Sequence, residues 1–151
     1  MTIAAANTII KDTGFEGPMI ERNTASGTSM RPGTFVRITT ANEFNVQNVQ
    51  GADAPTLLLI EDKFQGDVTT TGGVQAVYAA GSPARAEFPP AGALRYARIP
   101  SGQTLAFGDS LIFNNAGQLI RTTGSPLKVV AWAEEVVNNN AAEELVLVRI
   151  A

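Results

Sequence analysis

The chain has no cysteine and no histidine among its 151 residues. Without cysteine there can be no disulfide-stapled scaffold, no thiolate nucleophile and no thiolate metal site. Without histidine the commonest general base and the commonest metal ligand are gone, so a Ser-His-Asp triad and a His/Cys zinc site are both impossible. Charge is sparse as well: Asp, Glu, Lys and Arg make up 17% of the chain, against about 25% in an average soluble domain. A surface so lightly charged is often covered in part by a partner. Aromatic residues, at 7%, are too few for the stacking platform of a glycan-binding face. No run approaches the ~20 apolar residues of a membrane span. The opening Met1-Thr2-Ile3-Ala4-Ala5-Ala6-Asn7 has neither a basic region nor a long apolar stretch, so no signal peptide is expected.

The residues that are present describe one domain. A chain of this length buries roughly 68–70% of the surface its unfolded form exposes, enough to fold without metal or disulfide. The 14 Gly and 8 Pro are spread along the whole length, which suits many short strands joined by turns. Net charge is −3, so no electrostatic attraction to nucleic acid or to an anionic membrane is expected. The positive charge is mostly Arg, eight against three Lys. Arginine is enriched at protein interfaces, though it equally decorates solvated faces.

Residues 1–28 read as an extended N-terminal arm. Ile3, Ile9, Ile10, Phe15, Met19 and Ile20 are separated by small and polar residues, and no 3.6-residue period joins them. Scattered anchors of this kind pack on something, either the chain's own body or a neighbour, and these six are the candidate partner-binding residues. Residues 29–151 read as a mainly β body, a small barrel with little helix. Pro32-Gly33 turns into a strand over Thr34–Thr40, with Val36 and Ile38 on one face and Arg37 on the other. A short alternation follows at Phe44 and Val46. Leu57-Leu58-Leu59-Ile60 suits a strand buried on both faces. Gly72-Gly73 between Val68–Thr71 and Val74–Ala80 is hairpin chemistry. Over Leu94–Ile99 the apolar phase slips between Tyr96 and Ala97, which a bulge would explain. Leu105–Phe107 and Leu111–Phe113 read as strands, and Asn114–Gly117 as a turn. Lys128–Val137 and Leu145–Ile150 should form a C-terminal hairpin, with Trp132 in its core.

Candidate chemistry is thin. Glu61-Asp62, Glu134-Glu135 and Glu143-Glu144 are adjacent acids. On a strand, neighbours point to opposite faces, so each pair splits instead of converging on one cation. The glycines precede strands, not helices, and imply no phosphate-cradling loop. Ser26-Gly27-Thr28-Ser29-Met30-Arg31-Pro32 partly matches the S-x-S-M-x-P stretch of signal-peptidase-like proteases, whose serine is activated by a neutral lysine. Lys63 would be that lysine, but the adjacent Glu61 and Asp62 would hold it protonated. No cofactor is expected.

An ordered series of segments carries a family resemblance. It begins with Arg31-Pro32-Gly33-Thr34-Phe35-Val36, Leu57-Leu58-Leu59-Ile60-Glu61-Asp62 and Tyr78-Ala79-Ala80-Gly81-Ser82-Pro83-Ala84. It continues with Ile99–Leu111, the Asn114–Gly117 turn, Val129-Val130-Ala131-Trp132-Ala133-Glu134 and the terminal Leu145–Ile150. Together these resemble the head-decoration, or cement, proteins of tailed bacteriophages, including those related in architecture to the lambda decoration protein. The resemblance implies a compact β-tulip body and trimers seated at three-fold and quasi-three-fold positions on the outside of the expanded capsid. It implies as partners the major capsid protein, further copies of the chain itself and neighbouring decoration subunits, and a structural rather than catalytic role. It also implies an N-terminal arm that becomes ordered on the shell; on the capsid-stabilising reading, removing residues 1–20 is expected to weaken shell binding while the body stays folded. The alternatives are another virion module, such as a tail or fibre component, and the Ser29/Lys63 hydrolase.

Overall fold

A computed structural model describes residues 9–10, 16–27, 29–48, 55–61, 77–124 and 128–151. The expected hairpin around Gly72-Gly73 lies outside these residues, apart from its end at 77–80. The described residues contain ten strands and no helix. They are β1 Met19–Asn23, β2 Phe35–Ile38, β3 Phe44–Val46, β4 Leu57–Leu59, β5 Pro83–Glu87, β6 Leu94–Ile99, β7 Ser110–Phe113, β8 Leu119–Arg121, β9 Ala131–Ala133 and β10 Glu144–Ile150. They build two antiparallel five-stranded sheets, ordered β1-β5-β4-β2-β3 and β6-β10-β9-β7-β8. This is the mainly β body that the turn spacing anticipates.

The first sheet curls until its ends meet. Thr24, directly after β1, forms a parallel bridge with Phe44 of β3, and the N–H of Ala25 donates to the Phe44 carbonyl at 2.8 Å. This tie joins the ends of the two edge strands, leaving β1 itself, Met19–Asn23, on an edge. Inside this small barrel lie Val36, Phe44, Leu57, Leu59, Ala84 and Ala86, plugged by Met30 and Tyr78, which pair with each other through an isolated bridge. On the outside of the same strands, Phe35, Leu58 and Ile60 join a second core with the inward residues of the other sheet. The apolar run at Leu57–Ile60 is thus shared between two cores in strict alternation, which is why it carries no polar residue. Phe35 meets Phe113 across the interface at 5.1 Å between ring centres, inclined at 58°.

The segment leading into β2 is the seam between the sheets. The Gly33 N–H donates to the Leu59 carbonyl (2.8 Å), the Arg98 N–H of β6 donates to the Gly33 carbonyl (2.9 Å), and the Phe35 N–H donates to the Gly117 carbonyl (2.8 Å). Gly117 ends the turn expected at Asn114, where Asn114 Oδ1 accepts from the N–H groups of Ala116 and Gln118. Its φ of +71° and the Phe35 carbonyl lying where a Cβ would stand both call for glycine.

Three expectations are corrected. β6 has no bulge: it pairs with β10 in unbroken register from Leu94↔Arg149 to Ile99↔Glu144. The apparent slip arises because Arg95, a charged residue, occupies an inward position in line with Ala97 and Ile99. Trp132 is not in the core. Its neighbours Ala131 and Ala133 point inward, leaving the indole half-buried on the outer face, 5.6 Å from the Arg149 guanidinium carbon. Over Leu105–Phe107 only an isolated Leu105–Val137 bridge forms, and Phe107 stands 67% exposed in the following turn. The C-terminal hairpin forms as expected, with Ala131, Trp132 and Ala133 opposite Ile150, Arg149 and Val148.

Candidate functional site

Of the six anchors proposed in the arm, Ile3 and Phe15 lie outside the described residues. Ile9 is 0% exposed, inside the core between the sheets. Its N–H donates to Glu61 Oε2 (3.0 Å) and its carbonyl accepts from the Tyr96 N–H (2.9 Å). Ile10 is half-buried and bridges Arg95 at the edge of the second sheet. Met19 opens β1 and is 37% exposed, whereas Ile20, next to it, turns into the barrel. The four do not share a face. Ile9 and Ile20 pack on the chain's own body, since a short segment with no period still finds apolar partners once a strand edge or a core opening is nearby. Truncation through residue 20 would therefore empty a core position and cut β1. A deletion that tests the arm separately from the body has to stop before Ile9.

The interior holds a second group that no hydrophobic pattern signals. Glu87 of β5 and Arg95 of β6 are both fully buried and form a forked ion pair. Arg95 Nε donates to Glu87 Oε2 (2.9 Å) and an Nη to Oε1 (2.7 Å). The same Oε1 accepts the Gly17 N–H at 2.7 Å, and the other Nη of Arg95 donates to the Leu94 carbonyl. Each sheet contributes one charge, and the N-terminal segment closes the remaining acceptor site.

Beside the seam is an open cleft of about 340 Å³ lined by Ser29, Met30, Arg31, Val77, Gln118 and Glu143, among others. Glu143 is held from three sides: by Arg98 (3.1 Å), by Gln118 Nε2 and, at 4.0 Å, by Arg31. Arg98 also donates from Nε to the Pro32 carbonyl (2.7 Å). Burial lowers the Arg98 guanidinium below its ordinary value, and the Glu143 charge opposes that shift. Ser29 is exposed at the rim, while Lys63 lies outside the described residues. Among the described residues no three acidic side chains gather where a metal ion would sit, and no helix is long and apolar enough to cross a membrane.

One acid is perturbed by its surroundings. Burial pushes the Glu135 carboxyl up, and the negative charge of Glu144 adds to this, while the Leu147 N–H donating to Oε1 (2.9 Å) pulls it down. The folded state therefore holds that proton more tightly than the unfolded state does. The stability this gives is fully present below the unfolded pKa and is lost as pH rises through the folded one. Glu135→Gln keeps the acceptor and removes the charge. The variant is expected to melt above wild type near neutral pH, with the difference closing below about pH 4. Thermal melts across a pH series read this directly, and equal melting temperatures at neutral pH would contradict it.

No family model matches the chain, and no curated protein matches it. Among solved structures it is similar to the N base of the head fibre protein gp8.5 of bacteriophage phi29. The two are 15% identical over 89% of this chain and 95% of that one, with a TM-score of 0.48. A likeness at this level carries no assignment.

Proposed function

We propose that this protein is a structural component of a tailed-virus head. In this reading it is a cement protein that binds the outer surface of the capsid shell and ties neighbouring subunits together, as a trimer at three-fold and quasi-three-fold positions, with no reaction of its own. The observation that carries the reading is where the charged side chains go. Glu87–Arg95 joins the two sheets, Arg98–Glu143 fastens β6 to the loop before β10, and Glu134–Arg149, Asp109–Arg121 and Glu21–Arg85 link neighbouring strands. In these five pairs the charged groups hold strands and loops to one another. Among the described residues lining the cleft beside Ser29, the carboxylate is Glu143, which is already held by Arg98, Gln118 and Arg31.

The segments that resemble cement proteins are also those that build the body. Arg31–Val36 is the seam, Leu57–Ile60 serves two cores, and Val129–Glu134 with Leu145–Ile150 forms the C-terminal hairpin. A protein that stabilises a shell needs a body that does not yield and surfaces that add buried area between capsomers; many modest contacts then act together. The test is co-sedimentation of the purified chain with unexpanded and expanded shells of the major capsid protein from the virus that encodes it. Saturable binding to the expanded shell, with a raised shell melting temperature, is expected. Absence from the pellet with both shells would overturn the reading. Deleting residues 1–8 is expected to weaken that binding, with a thermal melt of the truncated chain checking that the body is folded. Unchanged attachment would count against an arm-mediated contact.

A further inference from the structure

The outer face of the second sheet lacks the polar alternation of a solvated sheet. The register sets Leu94 and Tyr96 of β6 beside Arg149 and Leu147 of β10. Trp132 follows on β9, and beyond it the Ile112–Ile120 pair of β7 and β8. Leu94, Trp132, Leu147, Ile112 and Ile120 are all half-buried and belong to neither core. An antiparallel sheet packed on one side normally reads apolar inward and polar outward. β10 instead sets Leu147 outward between the inward Val146 and Val148, the composition of a strand covered on both sides. At the centre of the face, Arg149 and Glu134 neutralise each other at 2.9 Å, with the guanidinium over the Trp132 ring.

We propose that this face is the contact between copies of the chain, which rests on the trimeric reading above. Charge selects the occupant. The chain carries a net −3, so two copies repel, and they repel least where each presents a face whose charges are already cancelled. Such a face offers no attraction to a strongly charged partner, while its apolar area rewards a like surface. Tryptophan and arginine are the residues that most often anchor protein contacts, and the stack of Arg149 on Trp132 holds both in place before association.

The test is the absolute mass of the full chain by light scattering over a concentration series, for wild type, Leu147→Lys, Trp132→Ala and, on the first sheet, Ile38→Lys. Wild type is expected to reach three times the 15.9 kDa of one chain. Leu147→Lys and Trp132→Ala should each move the association midpoint at least tenfold to higher concentration, with Ile38→Lys unmoved. Circular dichroism melts of dilute samples check that each variant folds, and Trp132→Ala stands in should the buried stem of Leu147→Lys not be accommodated. Association of both outer-face variants at wild-type concentrations would remove this face as the contact and leave the trimer standing. A wild type that stays at one-chain mass throughout would overturn the trimer and this contact together. Loss of shell binding with self-association intact would assign the face to the capsid protein and likewise overturn the inference.

Discussion

Glu87→Ala is expected to cost about 3–5 kcal/mol of folding stability, the usual loss when one partner of a buried ion pair is removed. In a chain of this size that corresponds to a fall in melting temperature of about 10 °C. The cause is what stays behind. Arg95 would keep its charge, fully buried and without the carboxylate that now faces its Nε and one Nη, and a guanidinium cannot shed its proton to escape. The Gly17 N–H would lose its acceptor at the same time. Arg95→Ala leaves a carboxyl instead, which can take up a proton and still accept from Gly17, so its loss is expected to be smaller. Glu87→Gln, which keeps one acceptor oxygen, should fall between wild type and Glu87→Ala. Replacing both partners, as Glu87→Gln with Arg95→Met, should recover much of what either alanine variant loses, because the uncompensated charge is then gone. Urea unfolding of the four variants gives the order. If Glu87→Ala proves as stable as wild type, the two sheets are not held by this pair.

The same residues mark where the sequence stops being legible. Strands whose inward positions are aliphatic declare themselves: Leu57–Leu59 and Leu145–Ile150 are continuous or alternating apolar runs bounded by turn residues. β5 does not. Pro83-Ala84-Arg85-Ala86-Glu87 is small and charged, yet Ala84, Ala86 and Glu87 are buried. The alanines face the barrel interior, and the glutamate is tolerated because Arg95 answers it from the other sheet. That partner lies in a different sheet, and nothing local announces it. β1 is hidden for a related reason. Met19–Asn23 alternates between exposed and half-buried along an edge, a pattern too weak to separate a strand from an irregular arm. Trp132 shows the opposite failure, since an aromatic in an apolar run suggests a core position while the alanines on either side take the inward places. Of the candidate site, the absence of histidine and cysteine could be read from sequence. The apolar outer face could not, because it depends on which residues of β6, β9 and β10 fall opposite one another.

Gly33→Ala is expected to destabilise the chain by about 2–5 kcal/mol, more than the usual cost of a single methyl group. Two separate penalties meet at this position. Its φ is +89°, a backbone conformation that costs an L-residue about 1–2 kcal/mol. A Cβ there would also stand 2.5 Å from Leu145 Cδ2 and 3.2 Å from Arg98 Cγ, and crowding of a packed site costs about 1–3 kcal/mol more. Neither neighbour can move away freely. Leu145 packs against the core, and Arg98 is held by the Pro32 carbonyl and Glu143. Gly33 itself is fixed by bonds to Leu59 and Arg98 on opposite sides, so a shift of the backbone would open the seam between the sheets. Gly102 is the internal control. It also has positive φ, +79°, but a Cβ there meets nothing within 4 Å. Gly102→Ala should therefore show the backbone penalty alone, about 1–2 kcal/mol. Urea midpoints for the two variants separate strain from collision, and equal losses would mean that the packing around Gly33 is loose enough to admit a methyl group.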